Sequence, residues 1–205
     1  MKKTYLYAFI GIILNAAGNS LTIVTNLGSI LWPASIVNMM HALHWQMWVS
    51  IFMEGIVISL LTMAVERKSS GKEWIEELIF LTPYSILMQA FATVWRSWRV
   101  AVLPFFPRLF VDILGLLVSF GGLAMYSKCA WCLHPHDALS SCLKSRWNPK
   151  MMKEFNIIVP LIIIFICAFK NHTIYALHIG TIIGLLIQSR FTSLCQITYD
   201  KYLHI

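Results

Sequence analysis

The chain has 205 residues, 58% of them hydrophobic and 12% charged, with a mean hydropathy of +0.70. Soluble domains average roughly 25% charged and 45–50% apolar residues, so a water-soluble core is excluded and an all-α polytopic membrane protein is expected. The formal charge of +7 comes with no basic, aromatic-interleaved patch, which excludes nucleic acid as a partner and leaves the charge to report topology.

Tyr5 to Thr25 follows Lys2 and Lys3 and is longer than the roughly 7–15 apolar residues of a signal peptide, so it reads as a retained first span. A polar-tinged segment, 26–45, comes next. Gln46 to Val65 is a second span, closed by a hydrophilic loop through Arg67, Lys68 and Lys72, and Trp74 to Trp95 is a third, with Pro83 inside. Glu76 and Glu77 look like a solvated helix start, and Arg96, Arg99, Pro104, Pro107 and Arg108 form a joint. Leu109 to Tyr126 is a span with Asp112 near its end, where it should be solvated. Segment 128–147 follows, then spans from Met151 to Phe169 and from Thr173 to Gln188, and a basic, aromatic tail from Arg190 expected at the membrane surface. The eight tryptophans, Trp95 and Trp98 among them, fit an interfacial belt.

The two polar segments correspond at a constant offset of 102 residues: Pro33 falls on Pro135, Ser35 on Asp137, Asn38 on Ser140 and Trp45 on Trp147. A second block, Leu81 to Gln89, matches Gly180 to Gln188 at an offset of 99. Two matched blocks in the same order predict an internal repeat, with halves 1–103 and 104–205. Only 15 residues separate Lys128 from Lys144, which as helix reach about 22 Å, and they include His134, His136 and Asp137. A full lipid-facing crossing is unfavourable, so each half is expected to hold three spans and one re-entrant half-helix. Three crossings per half would invert the second half. With both termini cytoplasmic, twelve of the sixteen Lys and Arg then lie inside and Arg96, Arg99, Arg108 and Lys170 outside; eight crossings would give eleven to five.

Pro33 and Pro135 suit the first turn of a helix. The half-helix N-termini, with their partial positive charge, would meet near the midplane and favour an anion or carboxylate. The candidate substrate-binding residues are Pro33, Ser35, Asn38, Glu54, Gln89, His134, Pro135, His136, Asp137 and Gln188. Asp137 either caps its own half-helix or faces a cavity; Glu54, well inside its span, is either a packing residue or a functional one. Gln89 and Gln188 line a cavity or bridge helices, and His41 and His178 suit bonds between helices. Cys129, Cys132, His134 and His136 could in principle complete a tetrahedral zinc site. The first half has no equivalent ligands, however, so packing cysteines are expected, with no metal or cofactor.

Asn26-Leu27-Gly28, Pro33, Pro135-His136-Asp137 and Gly180-Thr181 with Gly184 form a paired pattern that resembles the YczE/YitT-type bacterial membrane proteins. Ser35 stands where the pattern has an acid. No counterpart of the soluble C-terminal domain of the YitT branch is present, so the resemblance is to the YczE-like branch. It implies a bacterial plasma-membrane protein with duplicated halves and suspected transport. Two functional classes follow: a small-solute transporter or permease, or a non-transporting substrate-binding subunit or regulator that works with a membrane-complex partner or as a homodimer. No H-E-x-x-H or G-x-S-x-G motif is present, and an enzyme is not expected.

Overall fold

The structure, a computed structural model, describes residues 2–66, 71–129, 134–146 and 149–203. Arg67, Lys68, Cys132 and Trp147 lie outside these residues, as does the side chain of Cys129. The described residues form helices and no strand: α1 (Lys2–Thr25), α2 (Leu31–Leu43), α3 (Met47–Glu66), α4 (Gly71–Ser97), α5 (Phe105–Cys129), α6 (Pro135–Arg146), α7 (Pro149–Asn171) and α8 (Ile179–Leu203), with one 3-10 turn at Val100–Val102.

Local chemistry sets the breaks. Asn26 and Gly28 take positive φ, 54° and 115°, and end α1. At Gly28 the requirement is double, because a Cβ would also stand 2.7 Å from the Thr181 amide nitrogen. His44 in the left-handed region closes α2, its N–H returning to the Met40 carbonyl. Pro83 and Pro160 sit inside α4 and α7 without ending them; each removes one helix hydrogen bond, which neighbouring helices compensate in membrane bundles.

Among the described residues, α1, α3, α4, α5 and α7 contain segments long and apolar enough to cross a membrane. The distribution of side chains is that of a protein in lipid. Phe169 is 87% exposed and Phe106 79%, while Ser20, Thr25, Asn38 and Asp112 are fully buried. Water would reverse this pattern. The chain is a multi-pass membrane protein.

The tightest packing is the crossing of α1 and α5. Gly18 meets Gly115 and Ser119, and Gly11 meets Gly122 and Tyr126, so the two helices run antiparallel. A Cβ at Gly18 would stand 2.5 Å from the Gly115 carbonyl oxygen, and one at Gly122 would stand 2.6 Å from that of Gly11. Lipid offers no hydrophobic drive for helix association, and small residues allow the close backbone approach that replaces it. The short helices pack away from their own neighbours in sequence: α2 lies chiefly on α7, and α6 chiefly on α3. Helix α4 flanks α1, and α8 flanks α5.

Three expectations are corrected. Asp112 is buried, accepting a 2.5 Å bond from the Thr25 hydroxyl, because the α8 start at Gly180 packs over it. Glu77 is buried and accepts a bond from the Ser59 hydroxyl, since α3 covers that face of α4. Trp95 turns its indole N–H onto α1, 3.1 Å from the Ser20 hydroxyl and 3.3 Å from the Ala17 carbonyl, whereas Trp98 stays 67% exposed. The last helix starts at Ile179 and carries the expected surface tail as its own continuation. Three bonds tie that continuation to α5: Gln196 to Ser127 at 3.2 Å, Tyr199 to the Gly121 carbonyl at 3.3 Å, and a Lys128–Asp200 ion pair.

Candidate functional site

The first turns of α2 and α6 meet head to head inside the bundle. In α2 the extended Ile30 precedes the helix and its carbonyl takes the Ala34 N–H at 3.0 Å, which places Pro33 in the first turn. In α6 the His134 carbonyl accepts from Asp137 and Ala138 at 2.8 and 3.0 Å, and Pro135 is the first helical residue. Across the gap the Trp32 indole stacks on the His136 ring, centroids 3.7 Å apart and 15° from parallel.

Neighbouring helices fix both rings. Trp32 donates its indole N–H to Asn156 of α7 at 3.1 Å. His136 Nε2 lies 3.7 Å from Glu54 Oε2 of α3, beyond hydrogen-bond distance, and neither atom has another partner. Ser35 donates to the other Glu54 oxygen at 2.7 Å. The His134 ring sits edge-on to Phe80 and Tyr84, and the His136 N–H donates to its Nδ1 at 3.3 Å.

An open cavity of about 520 Å³ lies against this junction, within the usual size of ligand pockets. A smaller chamber of about 90 Å³ shares with it Trp32, Leu123, His136, Asp137 and Gln188. Asn15 and Asn19 of α1, Tyr84 of α4 and Tyr126 of α5 line the chamber. The Tyr126 hydroxyl donates to Asp137 at 2.7 Å. Asn19 donates to Asn15 and to the Tyr84 oxygen, both at 3.1 Å, and Asn15 donates to the Ser119 carbonyl at 2.8 Å. Asp137 therefore faces the cavity.

The sequence candidates fall into three groups. Pro33, His134, His136, Asp137 and Gln188 line the cavity or the chamber. Glu54 and Ser35 stand behind the wall, reaching the site through His136 and the Trp32 carbonyl, the latter 2.7 Å from the Ser35 hydroxyl. Pro135 starts α6 beside them. Asn38 and Gln89 are not brought into the site. Asn38 clamps the turn before α8, donating to the Tyr175 carbonyl at 2.8 Å and accepting its N–H at 3.0 Å, while Gln89 keeps a buried oxygen without a partner. His41 stacks on Tyr175, centroids 3.8 Å apart. Of the possible zinc ligands, His134 and His136 lie 4.5 Å apart between ring centroids; the two thiols fall outside the described side chains.

Sequence reading missed Asn15, Asn19, Trp32, Tyr84 and Tyr126. The legible signal was Asn15 and Asn19, the two amides of the first span, one helical turn apart and so on one face. The anion preference expected of paired helix ends is also weakened. Pro33 and Pro135 have no N–H to offer, and that of His136 is already taken by His134.

The sequence model of a family described as a family of unknown function, DUF6198, matches residues 2–197. No curated protein matches the chain. No solved structure matches it.

Proposed function

Since the chain belongs to this DUF6198 family, whose function is unknown, we propose from the site itself that it is a small-solute transporter of the bacterial plasma membrane. The observation that carries the reading is the head-to-head meeting of two half-helix N-termini at an open cavity, with Trp32 stacked on His136. Secondary transporters place their sites where broken helices of two repeats meet. The likeness to YczE-like proteins belongs to the same reading, which includes no catalytic step.

An inverted repeat fits the packing. At an offset of 104 residues, Gly11 corresponds to Gly115 and Gly18 to Gly122. The contacts are reciprocal: Gly18 lies on Ser119 and Gly115, and Gly122 lies on Asn15 and Gly11. That is the pattern of two equivalent helices crossing antiparallel about a two-fold axis. The exchange of short helices, α2 onto α7 and α6 onto α3, and the flanking pairs α1–α4 and α5–α8 follow the same exchange of halves. Halves 1–103 and 104–205 then each make three crossings, α8 included as the sixth, with both termini cytoplasmic. Trp32 meeting Asn156 and His136 facing Glu54 tie each half-helix to a span of the other half. At the offset of 102 Glu54 corresponds to Asn156 while Trp32 corresponds to His134, so the two contacts are alike but not equivalent.

The test is counterflow into vesicles holding the purified protein, with a pool of labelled small solutes. Protein-dependent uptake that Trp32→Ala and His136→Ala both cut by more than about tenfold, roughly 1.4 kcal/mol, supports the reading. Uptake that appears only when a copurifying membrane protein is added replaces it with the partner-dependent one, a binding subunit of a larger complex.

A further inference from the structure

We propose that the cavity takes an organic cation, a protonated amine or guanidinium carried on a flat apolar body, with Asp137 as its counter-ion. The proposal deepens the transporter reading, from which it takes the location of the site.

The inner chamber holds a carboxylate and a buried amide oxygen in need of donors. Both amide protons of Asn19 are spent, on Asn15 and Tyr84, and its Oδ1 is buried with no partner. The Tyr126 proton is spent on Asp137, which leaves the phenolic oxygen as an acceptor. Asp137 itself can only accept when ionised. The donors that remain, the Tyr84 hydroxyl, the Gln188 amide and the ring N–H of His134 left by the bond at its Nδ1, are all neutral. A guest carrying charged N–H donors would satisfy Asn19 Oδ1 and pair Asp137 at once.

The electrostatics agree. Among the described residues lining the cavity and the chamber there is no Lys or Arg, whereas Asp137 lines both. The positive end of the α6 dipole is met by Asp137 in its own first turn, while the α2 end carries no acid, so Asp137 is the charge on which a cation at this junction depends. A carboxylate held in a partly dry site is costly without an opposite charge, and a bound ammonium supplies one through a charge-assisted bond. Trp32 lines both spaces, offering an aromatic surface to a flat body or a cation, and Leu123, Leu185 and Ile157 add apolar wall.

Binding of four probes of similar size to the purified wild type, read by calorimetry, tests this: benzylammonium, phenylguanidinium, benzyl alcohol and phenylacetate. The two cations are expected to bind at least about tenfold more tightly than the alcohol, and phenylacetate not at all. Asp137→Asn should remove the advantage of the cations and leave the alcohol unchanged. Phenylacetate binding as tightly as the cations, cations binding Asp137→Asn undiminished, or none of the four binding each overturns the proposal. The comparison of charge classes is made on the wild type, so it stands even where the variant fails to fold. Cations that bind as expected but are never carried into vesicles leave this inference intact and sink the transporter reading; phenylacetate that binds and is carried does the reverse.

Discussion

Glu54 is an acid held inside an apolar bundle with half of its hydrogen bonds made. Ser35 donates to one oxygen, while the other faces His136 at 3.7 Å with no partner. A buried oxygen left unpaired costs stability, and replacing such a group by an apolar one of similar size is often neutral or favourable. Ser35 would still have the Trp32 carbonyl to bond. Glu54→Leu is therefore expected to change thermal stability by less than about 1 kcal/mol, or to raise it, while lowering uptake sharply. A large destabilisation with uptake per folded molecule unchanged would make Glu54 a packing residue. At this scale the sequence was partly legible. Glu54, His136 and Asp137 stand out because ionisable groups are rare in apolar runs. The burial of Asp112 and Glu77 was not, since both lie within the first turns of their helices and their cover comes from Gly180 and Ser59 on other helices. Asn38 and Gln89 were drawn into the site by their polarity, and polarity does not say which way a side chain points.

Among the described residues, five of the six long helices and the two short ones follow from the apolar runs and the placement of Pro33 and Pro135, so elements were the most legible scale; α8 starts later and runs well past the apolar stretch that ends at Gln188. What the runs did not show is that α1 and α5 are the central pair, because a glycine in a span reads the same whether it meets lipid or another backbone. The packing makes a sharp claim there. Gly18 and Gly122 are opposite ends of one crossing, each against the backbone of the facing helix. Adding a methyl group at either position forces the helices apart, at about 1–3 kcal/mol for overpacking. Once they are apart, the second methyl group enters space already opened. Gly18→Ala and Gly122→Ala are thus expected to be less than additive in a double-mutant cycle of thermal unfolding. Strict additivity would mean that the two contacts are independent and that α1 and α5 do not move as one rigid pair.

The architecture of the whole molecule turns on whether the short helices cross the membrane. Charge counts barely separated six crossings from eight, because Arg67, Lys68, Lys72 and Lys128 move out while Arg96, Arg99 and Arg108 move in, a net change of one. The direction of helices separates them well. If α2 and α6 both crossed fully, four crossings per half would leave α1 and α5 parallel, and the reciprocal glycine contacts require them antiparallel. The pairing of α5 with α8 is parallel, from Gly180 against Asp112 at one end to Asp200 on Lys128 at the other, as three crossings in the second half demand. Single cysteines at positions 72 and 98, in a chain with its five native cysteines replaced, flank α4 and decide the matter. Lys72 and Trp98 are both exposed, so labelling reports side rather than burial. With the N-terminus in the cytoplasm, as proposed and as a cysteine placed there and spared by the same reagent would check, six crossings place position 72 in the cytoplasm and position 98 outside. A membrane-impermeant maleimide added to intact cells should then label Trp98→Cys and spare Lys72→Cys. Eight crossings reverse both. The reversed pattern would put α2 and α6 across the bilayer and remove the inverted relation on which a shared midplane cavity depends, while the expected one leaves the two half-helices as the elements whose meeting makes the site.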